Sequence, residues 1–138
     1  MTITDDILSF IPQRAPFVMI DALVHCDDAG AVTSFEVREG NIFLEDGILK
    51  EPALVENMAQ TAAARVGYIC QKEGKPVPVG FIGAIQHLKV HGLPQTGDVL
   101  HTTITIKNQI FNATIIEGVV RSGGKILATG EMRIFVSS

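Results

Sequence analysis

Pro52-Ala53-Leu54-Val55-Glu56-Asn57-Met58-Ala59-Gln60-Thr61-Ala62-Ala63-Ala64-Arg65-Val66-Gly67-Tyr68-Ile69-Cys70-Gln71 is the stretch that decides the fold. Its apolar residues recur with the period of a helix, not of a strand. Leu54, Val55, Met58, Ala59, Ala62, Ala63, Val66, Ile69 and Cys70 cover more than one face. A surface helix keeps a wide polar side. Here the first turns offer only Glu56, Asn57 and Gln60, and the next charge is Arg65. Pro52 suits the first turn, where its missing N–H is no loss, and Gly74 and Pro76 end the helix. A helix this apolar and alanine-rich is expected to be covered on most sides, with other elements close to its backbone. Asn57 is expected to face solvent.

The segments on either side supply the cover. Before the helix, Thr4-Asp5-Asp6-Ile7-Leu8 reads as a short helix start that Pro12 stops. Residues 17–26 read as a β-type run. Asp27-Asp28-Ala29-Gly30 is a turn, and residues 31–38 return as the second arm of a hairpin. Residues 40–47 read as a connection. After the helix everything is strand-like: residues 79–90, a loop over 92–98, residues 99–110, residues 113–121 and residues 126–136, with Ser122-Gly123-Gly124-Lys125 as a turn that uses glycine's tolerance of positive φ. One hairpin, one long helix and about four further strands make an α+β chain whose helix needs a sheet to bury it. No repeat, low-complexity segment or linker divides residues 1–138, so one domain is expected.

Composition narrows the function classes. The chain has 138 residues, 46% hydrophobic and 19% charged, which marks a globular domain rather than a disordered one. A formal net charge of -4 argues against a nucleic-acid partner, which needs a basic surface. The two cysteines, Cys26 and Cys70, form no Cys-x-x-Cys pair and no zinc spacing. A disulfide framework is not expected, and a reducing cytoplasm is the simplest setting. The opening Met1-Thr2-Ile3-Thr4-Asp5-Asp6 does not read as a signal peptide, and no apolar run reaches membrane-spanning length. No metal and no cofactor are expected.

Four stretches, in order, look familiar. Ile11-Pro12-Gln13-Arg14-Ala15-Pro16-Phe17-Val18-Met19-Ile20-Asp21 resembles a Leu-Pro-His-Arg-x-Pro-Phe-Leu-Leu-Val-Asp opening. Leu54-Val55-Glu56-Asn57-Met58-Ala59-Gln60 resembles Leu-x-Glu-x-Met-Ala-Gln. Phe81-Ile82-Gly83-Ala84-Ile85, followed by the basic Lys89, resembles a Phe-Ala-Gly-Ile strand, and Pro94-x-x-Gly97-Asp98 loosely matches a Pro-Gly-Asp turn. All four belong to the β-hydroxyacyl-acyl-carrier-protein dehydratases, which this chain resembles from near residue 10 to near 135.

The resemblance implies a hot-dog fold, in which a curved antiparallel sheet wraps one long central helix. It implies a dimer or an oligomer of dimers, with sites drawing on both chains. The implied substrate is a 3-hydroxyacyl chain held on acyl carrier protein as a thioester. In that family a histidine takes the proton from C2 and a helix carboxylate protonates the departing hydroxyl. Glu56 falls on the carboxylate, and a lone acid at the start of an apolar helix suits that work. Pro52 and Ala53 at the helix start, Gln60 one turn after Glu56, and Gly83 on the Phe-Ala-Gly-Ile-like strand fall where substrate is bound. The histidine does not carry over. The family has His-Phe-Pro-Gly before the helix, whereas Gly47-Ile48-Leu49-Lys50-Glu51-Pro52-Ala53 holds none, and Ile48 stands nearest to its place. His87 and His91, which flank the strand after the helix, are the candidate substitutes.

Three functions fit this reading. The first is a dehydratase of carrier-bound 3-hydroxyacyl thioesters, in fatty-acid or polyene-type biosynthesis, with Glu56 as the acid. The second is a thioesterase in which Glu56 activates or orients water and helix N–H groups polarise the carbonyl. The third is a catalytically reduced subunit that completes a site with an active homologue.

Overall fold

A computed structural model describes residues 2–111 and 113–137, with Val79, Phe81, Val136 and Ser137 described by their backbone alone. A short 3-10 turn at Ile7–Ser9 precedes two strands, β1 (Ala22–Cys26) and β2 (Gly30–Glu36). Two-residue strands β3 (Leu44–Glu45) and β4 (Ile48–Leu49) come next, followed by helix α1 (Glu51–Lys72). Four long strands close the chain: β5 (Val79–Val90), β6 (Val99–Ile110), β7 (Ala113–Ser122) and β8 (Lys125–Ser137). Six strands form one sheet in the order β1-β2-β6-β7-β8-β5, each pair antiparallel. This is the hot-dog architecture expected from the helix outward.

The helix has 22 residues, so it is about 33 Å long, and it lies against β1, β2, β5, β6 and β7. Its buried Leu54 and Met58 join Met19, Leu23, Leu100, Ile104, Ile116, Val120 and Met132 in one core. Each such side chain contributes about 1.5–3 kcal/mol by leaving water. Two close approaches explain why small residues were needed. A Cβ on Gly118 of β7 would lie 2.5 Å from the sulfur of Met58. A Cβ on Gly67 of the helix would lie 2.4 Å from the carbonyl oxygen of Phe10. The register of the sheet shifts within β1, β5, β6 and β8, as β-bulges do, and bulges bend a sheet around what it covers.

The structure departs from the sequence reading in three places. The β-type run of residues 17–26 is a strand only from Ala22. Between Phe17 and Met19 the backbone lies along α1, and side chains of the helix take its hydrogen bonds. The connection at 40–47 contains a tight hairpin, in which Asp46 (φ 53) and Gly47 (φ 77) turn β3 into β4, the Asp-Gly geometry of a type I′ turn. Asn57 is not on the solvent side: it is 1% exposed.

Candidate active site

The first turns of α1 carry Glu56, Asn57 and Gln60, and the structure gives each a hydrogen-bond partner. Gln60 is fully buried. Its Oε1 accepts from the Met19 N–H (2.7 Å), and its Nε2 donates to the Phe17 carbonyl (2.8 Å) and to Glu56 Oε2 (3.0 Å). Three hydrogen bonds leave this amide no freedom to turn. One oxygen of Glu56 is thereby fixed, and no second hydrogen bond to its carboxylate is found among the described residues.

Asn57 builds the floor beneath. Its Nδ2 donates to the Met19 carbonyl (2.8 Å), and its Oδ1 accepts from the Thr102 hydroxyl of β6. The Thr61 hydroxyl donates to the Asn57 carbonyl (2.8 Å) and so must accept from Thr33 of β2 (2.7 Å). Asn57, Gln60, Thr61, Thr33 and Thr102 are all buried, and each finds a partner. Such a satisfied network fixes one arrangement of helix, sheet and incoming chain.

A cavity of about 460 Å³ opens beside Glu56. Ala59, Ala62, Ala63 and Val66 of the helix form one wall, and Ile104, Ile106, Ile116, Ile134 and Ile82 of the sheet form the other. Alanine on the helix face is what leaves the room. The polar side chains at its walls are Gln13, Glu56, Arg65, Gln109 and Thr114. Arg65 is already engaged, its Nε and Nη2 donating to the carbonyls of Asp27 (3.0 Å) and Asp28 (3.1 Å). A mostly apolar slot with one held carboxylate and one engaged guanidinium at its walls can seat an acyl chain and move a proton at one point along it.

The residues expected at the site are placed as follows. Glu56 and Gln60 are brought into contact. Pro52, one turn before Glu56, is exposed, and Ala53 is buried beneath the helix start; neither lines the cavity. Gly83 sits on β5 beside Ile82, where a Cβ would come within 2.1 Å of the Phe135 ring. Ile48 pairs with Glu45 in the small hairpin and bridges Gln95, away from the cavity lining. His87 and His91 are exposed at and just beyond the end of β5, His87 in a bulge with φ 54, and neither lines the cavity. His25 is bonded to Asp27 at 2.8 Å, and His101 is exposed on β6. Arg14 donates to the carbonyls of Ile11 and Gln13. Gln13 is the cavity residue that the sequence reading passed over. Its signal was present in the Ile-Pro-Gln-Arg stretch, since it stands where the resembled family has a histidine.

Comparison with known proteins agrees with this construction. The family model ApeP-like, described as ApeP dehydratase, matches residues 5–138. The chain is similar to the 3-hydroxyacyl-acyl-carrier-protein dehydratase FabZ of Rickettsia bellii, 28% identical over 138 residues, covering 95% of this chain and 93% of that one. The FabZ of Brucella ovis is 29% identical over 137 residues, covering 95% and 86%. Among solved structures, the dehydratase heterocomplex ApeI:P from Xenorhabdus doucetiae superposes with a TM-score of 0.89 at 20% identity, covering 96% of this chain and 91% of that one. A hypothetical thioesterase with coenzyme A from Streptococcus pneumoniae shares the fold, with a TM-score of 0.69 at 13% identity and 84% of each chain covered. With a helix carboxylate held beside an apolar slot and a family model matched almost end to end, the chain belongs to the ApeP-like dehydratase family.

Proposed function

We propose that this protein takes part in removing water from a 3-hydroxyacyl group held as a thioester on acyl carrier protein, and that Glu56 carries the proton to the departing oxygen. The observation that carries the reading is the Glu56–Gln60 pair at the wall of an acyl-sized cavity. In the reaction a base removes the C2 proton, the C3–O bond breaks, and the C2=C3 bond forms. The leaving hydroxyl takes the proton from the Glu56 carboxyl and departs as water. Gln60 presents Glu56 by one oxygen and leaves the other for this transfer. A substrate seated between the alanine and isoleucine walls displaces water from the carboxyl, which strengthens its hydrogen bond to the substrate.

No histidine of this chain lines the cavity among the described residues, so the base is assigned to a second subunit. The open edge of β5 supports that assignment, because an edge this long is a template for another chain. The FabZ relatives act on carrier-bound substrates by name, and the ApeI:P neighbour is a heterocomplex. We take the partner to be a second hot-dog chain, either a copy of this one that supplies His87 or His91 or a related subunit that carries its own histidine. Fatty-acid or polyene-type biosynthesis is the setting these substrates imply. The free thiols Cys26 and Cys70 support a reducing cytoplasm. Among the described residues no helix is long and apolar enough to cross a membrane.

The test is incubation of 3-hydroxyacyl-carrier protein with this protein, alone and together with a histidine-bearing dehydratase subunit. Enoyl product is expected in at least one of the two mixtures, and Glu56→Gln is expected to lower its rate by about 10²- to 10⁴-fold. Release of a free thiol without enoyl product would replace dehydration by hydrolysis. Absence of both products over several chain lengths would refute an enzymatic role.

A further inference from the structure

Glu56 lines the cavity, whereas Gln60, Met19, Asn57 and Thr102 do not. One line of hydrogen bonds nevertheless joins all five. The Thr102 hydroxyl of β6 donates to Asn57 Oδ1, and Asn57 Nδ2 donates to the Met19 carbonyl (2.8 Å). The Met19 N–H donates to Gln60 Oε1 (2.7 Å), and Gln60 Nε2 donates to Glu56 Oε2 (3.0 Å). Asn57, Gln60, Thr102 and Met19 are buried, so water does not stand in for a link that is lost.

Each link has a direction. A side-chain amide can turn over and exchange its oxygen for its nitrogen, and only its neighbours decide which way it faces. The Met19 carbonyl can only accept, so the Asn57 nitrogen faces it and the Asn57 oxygen is left to Thr102. The Met19 N–H can only donate and the Phe17 carbonyl only accept (2.8 Å), so Gln60 turns its oxygen to Met19 and its nitrogen to Phe17. The second hydrogen on that nitrogen is the one that reaches Glu56. Oε2 of Glu56 therefore faces a hydrogen already, and the proton of the carboxyl sits on Oε1, the oxygen left for substrate. With Gln60 turned over, an acceptor would face Oε2 and draw the proton there.

We propose that Thr102 and Asn57 are positioning residues for Glu56. Thr102 on the sheet holds the Asn57 amide, Asn57 holds the backbone at Met19, and Met19 holds Gln60 in the orientation that keeps the Glu56 proton on the substrate side. The proposal deepens the dehydration reading, and its kinetic part rests on that reading. Two features make the remote residues matter. The carbonyl of Phe17 and both backbone groups of Met19 bond to side chains of α1, and β1 begins only at Ala22, so at Met19 no neighbouring strand does the holding. Neither residue belongs to the fixed positions of the Leu-x-Glu-x-Met-Ala-Gln stretch, so the hold is a property of this fold's packing rather than of the motif. A displacement of about 1 Å far from the reacting atoms can cost about 10²-fold in rate.

The experiment compares Thr102→Val, which keeps the shape and removes the hydroxyl, with Thr102→Ser, which keeps the hydroxyl. Turnover of 3-hydroxyacyl-carrier protein is measured on the full chain together with the histidine-bearing subunit. Thr102→Val should lower kcat roughly ten- to a hundredfold with KM within about twofold, and Thr102→Ser should stay within about threefold of the wild type in both. A second readout needs no turnover. The side-chain amide protons of Gln60, identified in NMR spectra of isotope-labelled protein by their absence in Gln60→Met, should exchange slowly with water in the wild type and in Thr102→Ser and rapidly in Thr102→Val. Equal losses in the two variants, a rise in KM that accounts for the loss, or Gln60 protons that exchange alike in all three proteins would overturn the proposal. Should Thr102→Val fail to fold, the other two proteins decide: slow exchange in both with turnover kept in Thr102→Ser supports the proposal, and rapid exchange in either, or turnover lost in Thr102→Ser, overturns it. A protein that makes no enoyl product yet shows the change in exchange would refute the dehydration and leave the hold of Thr102 on Gln60 standing.

Discussion

At the scale of single residues, the polar side chains of α1 divide their labour. Gln60 positions Glu56, while Asn57 fastens the chain at Met19 and the strand at Thr102 to the same helix turn. Asn57→Ala removes both halves of that fastening and strands the Met19 carbonyl and the Thr102 hydroxyl inside the core. The expected cost is about 2–6 kcal/mol, since each of the two stranded buried groups costs about 1–3 kcal/mol. Thr102→Val strands only Asn57 Oδ1 and should cost less. The two losses should be non-additive, and urea unfolding of both single variants and the double variant measures the coupling. Additive losses would mean that Asn57 and Thr102 do not share a bond. Cys26 illustrates a simpler residue-scale effect. Burial pushes its thiol pKa up, an effect only partly opposed by Arg65 and Lys72 and reinforced by Asp27 and Asp28. Thiolate is the reactive form. Alkylation of Cys26 by iodoacetamide should therefore be slower near neutral pH than that of a free cysteine, and it should accelerate only at higher pH. The same shift has a stability sign. A thiol harder to ionise in the folded state is neutral in both states below the unfolded pKa, and the folded state loses stability as pH rises through the unfolded pKa toward the folded one.

At the scale of elements, Gly67 sets two rules against each other. Alanine is better than glycine inside a helix by about 1 kcal/mol. A Cβ at Gly67, however, would lie 2.4 Å from the Phe10 carbonyl oxygen and 2.8 Å from its Cα, and backbone atoms cannot swing aside. The steric term wins, because overpacking costs about 1–3 kcal/mol and here moves a whole segment. Gly67→Ala should lower the melting temperature and loosen the edge-on contact of Phe10 with Tyr68, whose ring centres lie 5.8 Å apart. A higher melting temperature would mean that residues 9–11 do not rest on the helix. This competition also marks what the sequence could disclose. The 3.6-residue period of residues 52–71 and the alternation of the later strands are local signals, and both elements stand where those signals put them. The structure brings Glu56 and Gln60 into contact at the cavity wall, and that they share one helix face was legible from their spacing. The burial of Asn57 was not, because its partners lie 38 and 45 residues away in the chain, and a polar residue in a helix reads locally as solvent-facing. Phe17 to Asp21 reads as strand by composition, yet helix side chains occupy part of the backbone that a neighbouring strand would have used. The Asp46-Gly47 turn was readable by type, but strands of two residues are too short to show alternation.

At the scale of the whole molecule, the sheet ends on one side in a strand that the chain itself does not cover. Among the described residues β5 pairs with β8 alone. Opposed residues of an antiparallel pair point to the same side. Ile82 therefore faces the helix side with Ile134, Ile85 with Met132, and Val90 with Ala128. Their partners Met132 and Ala128 are buried, whereas Ile82, Ile85 and Val90 are 37%, 41% and 38% exposed. The same row that should be core is thus left half in water, next to an unpaired strand edge. Natural edges are protected by charge, proline or bulges; here the bulges at Gly83 and at His87 and the charge of Lys89 serve that end, while Ile85 between the bulges is apolar. A second chain would bury the row, pair the edge and bring its own groups toward the cavity that Ile82 lines. The expectation is a particle with the mass of two chains in sedimentation equilibrium at micromolar concentration. Ile85→Lys, which places a charge in the middle of the row without touching the cavity lining, should shift that mass toward one chain and reduce dehydration in parallel. A variant that stays dimeric would show that the row is not the interface. One that becomes monomeric and keeps full activity would show that the site needs no second subunit, and Glu56 would then have to serve as both acid and base.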